Sequence, residues 1–285
     1  MGYLEIPNLY KEQDILLFKE CYALEKIHGT SAHISWNENK LSLFSGENKD
    51  YFINMFNHEF LKNEFTKLNI PKISIFGEFY GGKCQGMSDT YGKIPRFVSF
   101  EVKIGENWLS VPNAEEIVKI FNLDFVPYTK CLTDIKLLDE LRDKPSDQSI
   151  KCGILEPRKR EGIVLRPLIE VRKNNGSRII AKHKADDFRE TKNKRSLNKN
   201  ELLILSDAKA IAEEWVTEMR LSHVLQEFEK PTIEDTGKII KAMFSDIVKE
   251  SKGEVEYLDL ASKEISRKTA LMFKNRLKNS LLLKK

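Results

Sequence analysis

Over the first two hundred residues, apolar and polar positions alternate in short runs broken by Gly, Pro and Asn. The runs "AHISW", "KLSLFSG", "KISIFGEFYGG", "RFVSFEVKIG", "EGIVLRP" and "RIIAKHK" have the two-residue period of strands. Between them "KDYFINMFNHEFLKNEF" and "NAEEIVKIFN" read as helices. Beyond residue 200 the apolar positions spread to helical spacing: Ile211, Trp215 and Met219, then Ile239, Met243 and Ile247, then Ala261, Ile265 and Met272. Thr232 and Asp235, after Pro231, resemble a helix start, although the reciprocal capping pair ordinarily uses Glu or Gln at the second position. The polar, basic stretch "FRETKNKRSLNKNE" reads as a linker. The pattern predicts an α+β domain over residues 1–200 and a small all-helical domain over 201–285.

Composition changes this picture little. The chain has 285 residues, 41% of them hydrophobic, enough for a sizeable core. No apolar run reaches the length of a membrane span, and "MGYLEIPNLYKEQD" lacks a signal-peptide pattern, so no membrane association is expected. Cys21, Cys84, Cys131 and Cys152 are scattered without a CxxC pair, which suits reduced thiols and a cytoplasmic location, in a cell or in a phage-infected host. The net charge of +4 permits nucleic acid without indicating it. Residues 201–285 carry fifteen basic and fifteen acidic side chains, so the whole excess belongs to residues 1–200.

The chemistry starts in "CYALEKIHGTSAHISW", residues 21–36, which reads as a strand with Lys26 in its middle. A free lysine, with a pKa of roughly 10.4, is protonated at neutral pH and not nucleophilic. Partial burial or neighbouring cations lower that value and make the amine usable. Gly29, three residues on, lets a phosphate or a backbone come close. Taken alone, Lys26 is equally well a snorkelling lysine at a strand end. Further charges interrupt otherwise apolar strands: Glu78 in "KISIFGEFYGG", Glu161 opening "EGIVLRP", and Lys182 and Lys184 two apart on one face of "RIIAKHK". Asn175-Gly176 predicts a type I′ hairpin that pairs these last two strands. Any one such charge could be a solvated ion pair. Together they provide lysines to neutralise phosphates and carboxylates to hold a divalent cation.

These segments resemble the motifs of the covalent nucleotidyltransferases, the superfamily of ATP-dependent ligases and capping enzymes. "EKIHG" resembles motif I, "FGEFYGG" motif III, "RFVSFEV" motif IIIa, "EGIVLRP" motif IV and "IAKHK" motif V, in the superfamily's order. The forms of the first and fourth are most similar to the nick-sealing, RNA ligase 2-like branch, and the resemblance covers roughly residues 20–190. It implies an ATP-grasp-like fold of antiparallel sheets, with Lys26 as the nucleophile that attacks the α-phosphate of ATP. It further implies that Glu25 faces the adenine, Phe100 stacks on it, and Glu101 fills the acidic position that follows. Glu78 would hold the ribose, and Glu161 would bind Mg²⁺ or Mn²⁺ directly or through water. Lys182 and Lys184 would grip the α-phosphate, His28 would lie toward the pyrophosphate, and Arg166 fills a position that is commonly lysine.

Two positions depart from the resemblance. Phe44, Ser45 and Gly46 stand where an arginine of motif Ia is expected, with Lys40 and Lys49 nearby, and Ser31 replaces an asparagine. The Gly-rich segment 81–93 lacks Walker spacing and reads as a mobile loop near the site. The resemblance implies a monomeric ATP-dependent RNA ligase acting on a nicked duplex or broken stem-loop, through lysyl-AMP and adenylylated RNA. DNA ligases and GTP-using capping enzymes share the core but normally add an OB barrel, which the helical period after residue 200 disfavours. A binding module that has lost its chemistry is the alternative from another class; it would be expected to lack Lys26, Glu161, Lys182 or Lys184.

Overall fold

A computed structural model describes residues 3–192, 207–255 and 258–282, and most of the expected linker lies outside them. The chain divides into two compact units, Met1–Ala185 and Asp186–Lys285. The first contains β1 (Glu20–Lys26), β2 (Thr30–Asn37), β3 (Lys40–Ser45), α1 (Lys49–Asn54), α2 (His58–Leu68) and β4 (Lys72–Tyr80). It continues through α3 (Ser88–Tyr91), β5 (Arg96–Ile104), β6 (Asn107–Trp108), α4 (Val111–Ile120) and β7 (Tyr128–Leu132), then α5 (Ile135–Asp143), α6 (Asp147–Lys151), β8 (Gly162–Pro167) and β9 (Ala181–Lys184). The strands form two antiparallel sheets, one ordered β7-β1-β8-β9 and the other β3-β2-β4-β5-β6.

The stretch 21–36 is therefore two strands in two sheets, and Lys26 ends the first instead of sitting mid-strand. Gly29 marks the crossing. A Cβ there would lie 2.3 Å from the Phe79 carbonyl of β4, so only glycine lets the backbone pass. The helical stretch at 49–65 is likewise divided: α1 stops, and Asn57 caps α2 by accepting from the Phe60 N–H at 3.0 Å. The hairpin before β9 pairs β8 with β9 as expected, but its turn is not type I′. Only Gly176 has positive φ (+81°), and its N–H closes on the Lys173 carbonyl, the arrangement of a longer turn ending in a G1 bulge.

One face of the five-stranded sheet is covered by α2 and α4. Ile73, Ile75 and Val102 pack in one cluster with Leu61, Phe65, Ala114 and Val118, and the Trp36 ring stacks on Phe65 at 5.5 Å. The segment 81–93 is folded as short helical turns whose Tyr91 is fully buried, in place of the mobile loop expected.

The second unit is helical: α7 (Ala208–Trp215), α8 (Glu218–Leu225), α9 (Thr236–Glu250) and α10 (Leu258–Leu282). Ile211, Trp215, Ile239, Met243, Ile247, Ala261 and Ile265 form its core, as the four-residue steps imply. Met219 falls on α8, after Thr217 has ended the preceding run and capped a new helix. Thr232 and Asp235 do make the reciprocal capping pair, with aspartate in the usual glutamate role. Among the described residues no helix is long and apolar enough to cross a membrane.

Candidate active site

Glu161 is the node of the site. Its carboxylate is buried at the start of β8, 2.9 Å from Lys26 Nζ, 3.2 Å from Lys184 Nζ and 3.2 Å from His28 Nδ1. Burial would raise its pKa, but the Lys26 and Lys184 ammoniums and the His28 imidazole hold it well below the ordinary carboxylate range. Antiparallel pairing builds this arrangement. Lys26 lies opposite Gly162 on β8, and Gly162 lies opposite Lys184 on β9.

From Lys26 a cavity of about 210 Å³ extends between the sheets, bordered by Glu25, Glu78, Phe100, Glu101, Val164, Arg166 and Lys182. Phe100 and Glu101 are neighbours on β5 and ought to face opposite ways. The register slips between Phe76 and Gly77, leaving Phe100 unpaired and letting both residues border the same space. Ser31 Oγ, also at the cavity, is buried with no hydrogen-bond partner among the described residues. Of the expected residues, Lys26 alone both lines the cavity and touches Glu161; its side chain is 23% exposed.

Four expected residues have additional or different partners. The Glu25 carboxylate accepts from the Ser146 hydroxyl and from the N–H groups of Asp147 (2.9 Å) and Gln148 (3.2 Å), so it caps α6. Glu101 is fully buried against Arg166 (3.0 Å) and Arg178, and Arg166 also pairs with Glu170. Glu78, half-buried beside Gly29, accepts that residue's N–H; loss of solvation, reinforced by Glu161 and opposed by Lys26, pushes its pKa up to about 8. Gly29 therefore acts here through its backbone.

Sequence reasoning missed the opposite wall. Tyr3 donates its hydroxyl to Glu101 and sets its ring edge-on to Phe100 at 4.9 Å. The Lys182 N–H donates to the Pro7 carbonyl and the Leu9 N–H to the Lys182 carbonyl, both at 2.8 Å, so the N-terminal segment forms an isolated parallel bridge that fixes the Lys182 backbone. No hydrophobic period singles out Tyr3 or Pro7. Val164 was legible only as a letter inside the fourth motif, and Arg178 only as the first letter of the run "RIIAKHK".

The RNA ligase family profile matches residues 19–184, more than half of the chain. No curated protein matches the sequence. Among solved structures the fold is similar to Naegleria gruberi RNA ligase, determined with AMP and Mn. That match has 14% identity and a TM-score of 0.53, and covers 66% of this chain and 57% of that one. The same enzyme with ATP and Mn gives 15% identity and 0.51, covering 66% and 56%, and with PPi 15% and 0.52, covering 66% and 57%. The chain thus spans less than two thirds of the length of these structures. With the family profile matching more than half of the chain and the five motifs falling in order within it, the chain belongs to the RNA ligase family.

Proposed function

We propose that the protein is an ATP-dependent RNA ligase that joins a 3′-hydroxyl to a 5′-phosphate end through lysyl-AMP and adenylylated RNA. The observation that carries this reading is the position of Lys26, which reaches Glu161 at 2.9 Å and also borders the cavity. Phe100 and Val164 offer a base two apolar faces, and the orphaned Ser31 hydroxyl offers the nucleotide a hydrogen bond. A Glu78 carboxyl with a pKa of about 8 keeps a proton near neutrality, so it can donate to a sugar hydroxyl.

The donor set also fits Mg²⁺ or Mn²⁺. Mg²⁺ takes one or two carboxylates together with phosphate oxygens and water, and Glu161 is a charged oxygen donor already compensated by cations. Bound there, the ion would neutralise phosphate charge as the amine approaches. Once its ammonium has released a proton to solvent, Lys26 Nζ forms the bond to the α-phosphorus as the bond from that phosphorus to pyrophosphate breaks. Lys182 and Lys184 stabilise the charge that develops on the phosphates. The Naegleria ligase is bound to ATP, AMP, Mn and PPi in its structures, which supports this reading.

The test is incubation with α-labelled ATP or GTP and a divalent cation, followed by denaturing electrophoresis. ATP should label the protein, pyrophosphate should remove the label, and Lys26→Ala should take up none. Glu161→Gln should reduce the rate by about 10²–10³-fold, as loss of one charge-stabilising group does. Equal labelling of Lys26→Ala would overturn the mechanism, and preference for GTP would move the protein to the capping class.

A further inference from the structure

The cysteines scattered in sequence are not scattered in space. Cys21 on β1 and Cys131 on β7 stand directly opposite each other in the antiparallel ladder, with sulfurs 3.8 Å apart. The Glu25 N–H to Pro127 carbonyl bond and the Thr133 N–H to Lys19 carbonyl bond fix the phase of this ladder. With that phase, Cys21 and Cys131 form a hydrogen-bonded pair, whose Cα atoms in such ladders lie about 5.5 Å apart. That separation is within the range a disulfide spans.

The two thiols also differ in the way an oxidisable pair requires. Cys21 is completely buried, whereas Cys131 is half-buried on the edge strand β7. The hydrogen bond between the sulfurs lowers the pKa of Cys131 and raises that of Cys21. An accessible sulfur with thiolate character attacks first, and a buried neighbour resolves the product. By contrast, the Cys152 sulfur lies against the Tyr80 hydroxyl and the Cys84 thiol against the Phe79 carbonyl, so neither faces a second cysteine.

We infer that Cys21 and Cys131 are a reversible dithiol–disulfide site, oxidised by a small-molecule disulfide such as oxidised glutathione. The Cys131 thiolate attacks one sulfur of the oxidant, forming a mixed disulfide and expelling one thiolate. The Cys21 thiol then loses its proton, and its sulfur attacks Cys131, closing the cross-strand disulfide and expelling the second thiolate. Two protein thiols are oxidised, one oxidant disulfide is reduced to two thiols, and the two protein protons end on those thiols. The product staples the edge strand to the strand that carries Lys26. Closing a link across directly opposed, hydrogen-bonded residues strains it, and strained disulfides are the readily reduced ones. The site is independent of the ligase reaction proposed above.

The experiment equilibrates the full-length protein with graded ratios of reduced to oxidised glutathione, quenches it with an alkylating agent, and measures intact mass and cross-linked peptides. The expected result is a form alkylated on two cysteines, containing one peptide pair that joins Cys21 to Cys131 and reverting in excess reduced glutathione. Cys131→Ser should abolish it, and the Cys84→Ser/Cys152→Ser double variant should retain it. Alkylation of all four cysteines at the most oxidising ratio, a link through Cys84 or Cys152, or an unchanged link in Cys131→Ser would each overturn the inference. If Cys131→Ser folds poorly, the peptide map of the natural protein decides alone.

Discussion

Glu78 and Glu161 are carboxyls of one site that titrate in opposite directions, because Glu161 pairs directly with Lys26, Lys184 and His28, whereas Lys26 and Lys184 act on Glu78 too weakly to offset its loss of solvation. That loss, aided by Glu161 and opposed by Lys26, raises Glu78 to about 8, so the folded protein keeps a proton there that the unfolded chain gives up. Where the folded state binds more protons, stability falls as pH rises. This contribution is therefore complete below the ordinary carboxylate range and lost as pH climbs through about 8. Glu78→Gln, which cannot ionise, should flatten that decline. Urea midpoints at pH 5, 7 and 9 for both proteins measure it, and parallel curves would assign the pH dependence to other groups. Sequence alone marked both residues as charges on apolar strands. It could not assign their ionisation, which depends on neighbours distant along the chain: Lys26 stands 52 residues before Glu78 and Glu161 stands 83 after it.

At the scale of elements, the six strand runs were legible because each alternates or runs apolar between breakers, and all six become strands. The short β6, the exposed edge strand β7 and the brief helix α6 were not, because too few of their residues are buried to leave a period. The break between β1 and β2 was hidden for a different reason: its cause is the Phe79 carbonyl, a tertiary contact that no local pattern encodes. Glu25 illustrates how such contacts add to what a motif shows. The family resemblance gives it a base to face; it borders the cavity, and its carboxylate also accepts from the Ser146 hydroxyl and two N–H groups of α6. Glu25→Ala should cost about 1–3 kcal/mol of stability, because those buried donors lose their acceptor. Chemical denaturation measures it, and an unchanged midpoint would show that water replaces the carboxylate without penalty.

For the whole molecule, each unit has its own apolar core, one built on the sheets and one around Trp215, Met243 and Ile265. The residues named above for the cavity and its charged node all precede residue 186. A chain ended near residue 200 should therefore stay soluble and label on Lys26 at close to the full rate. It should seal a 5′-phosphate nick in RNA far less well, since the lost helices would no longer help position the polynucleotide. Comparing labelling with sealing for both lengths separates the two roles. Undiminished sealing would make the helices dispensable, and lost labelling would give them a part in building the pocket.

The crossing at residues 27–29 sets where this chain can tolerate lengthening. Both flanking strands are locked in register, β1 between two neighbours and β2 between two others, and Gly29 passes its closest contact without room for a methyl group. One residue inserted after Ile27 has nowhere to loop out. It must slip a strand, and a slip by one turns every side chain of that strand to the wrong face. The turn at Lys173–Ser177 has open space around Gly176, and a longer closed loop costs little, about 0.6 kcal/mol for each doubling. Four glycines added there should leave melting within a few degrees and Lys26 labelling intact, while a single alanine after Ile27 should abolish both folding and label. Homologous chains should accordingly vary in length at the turn and keep the crossing at three residues.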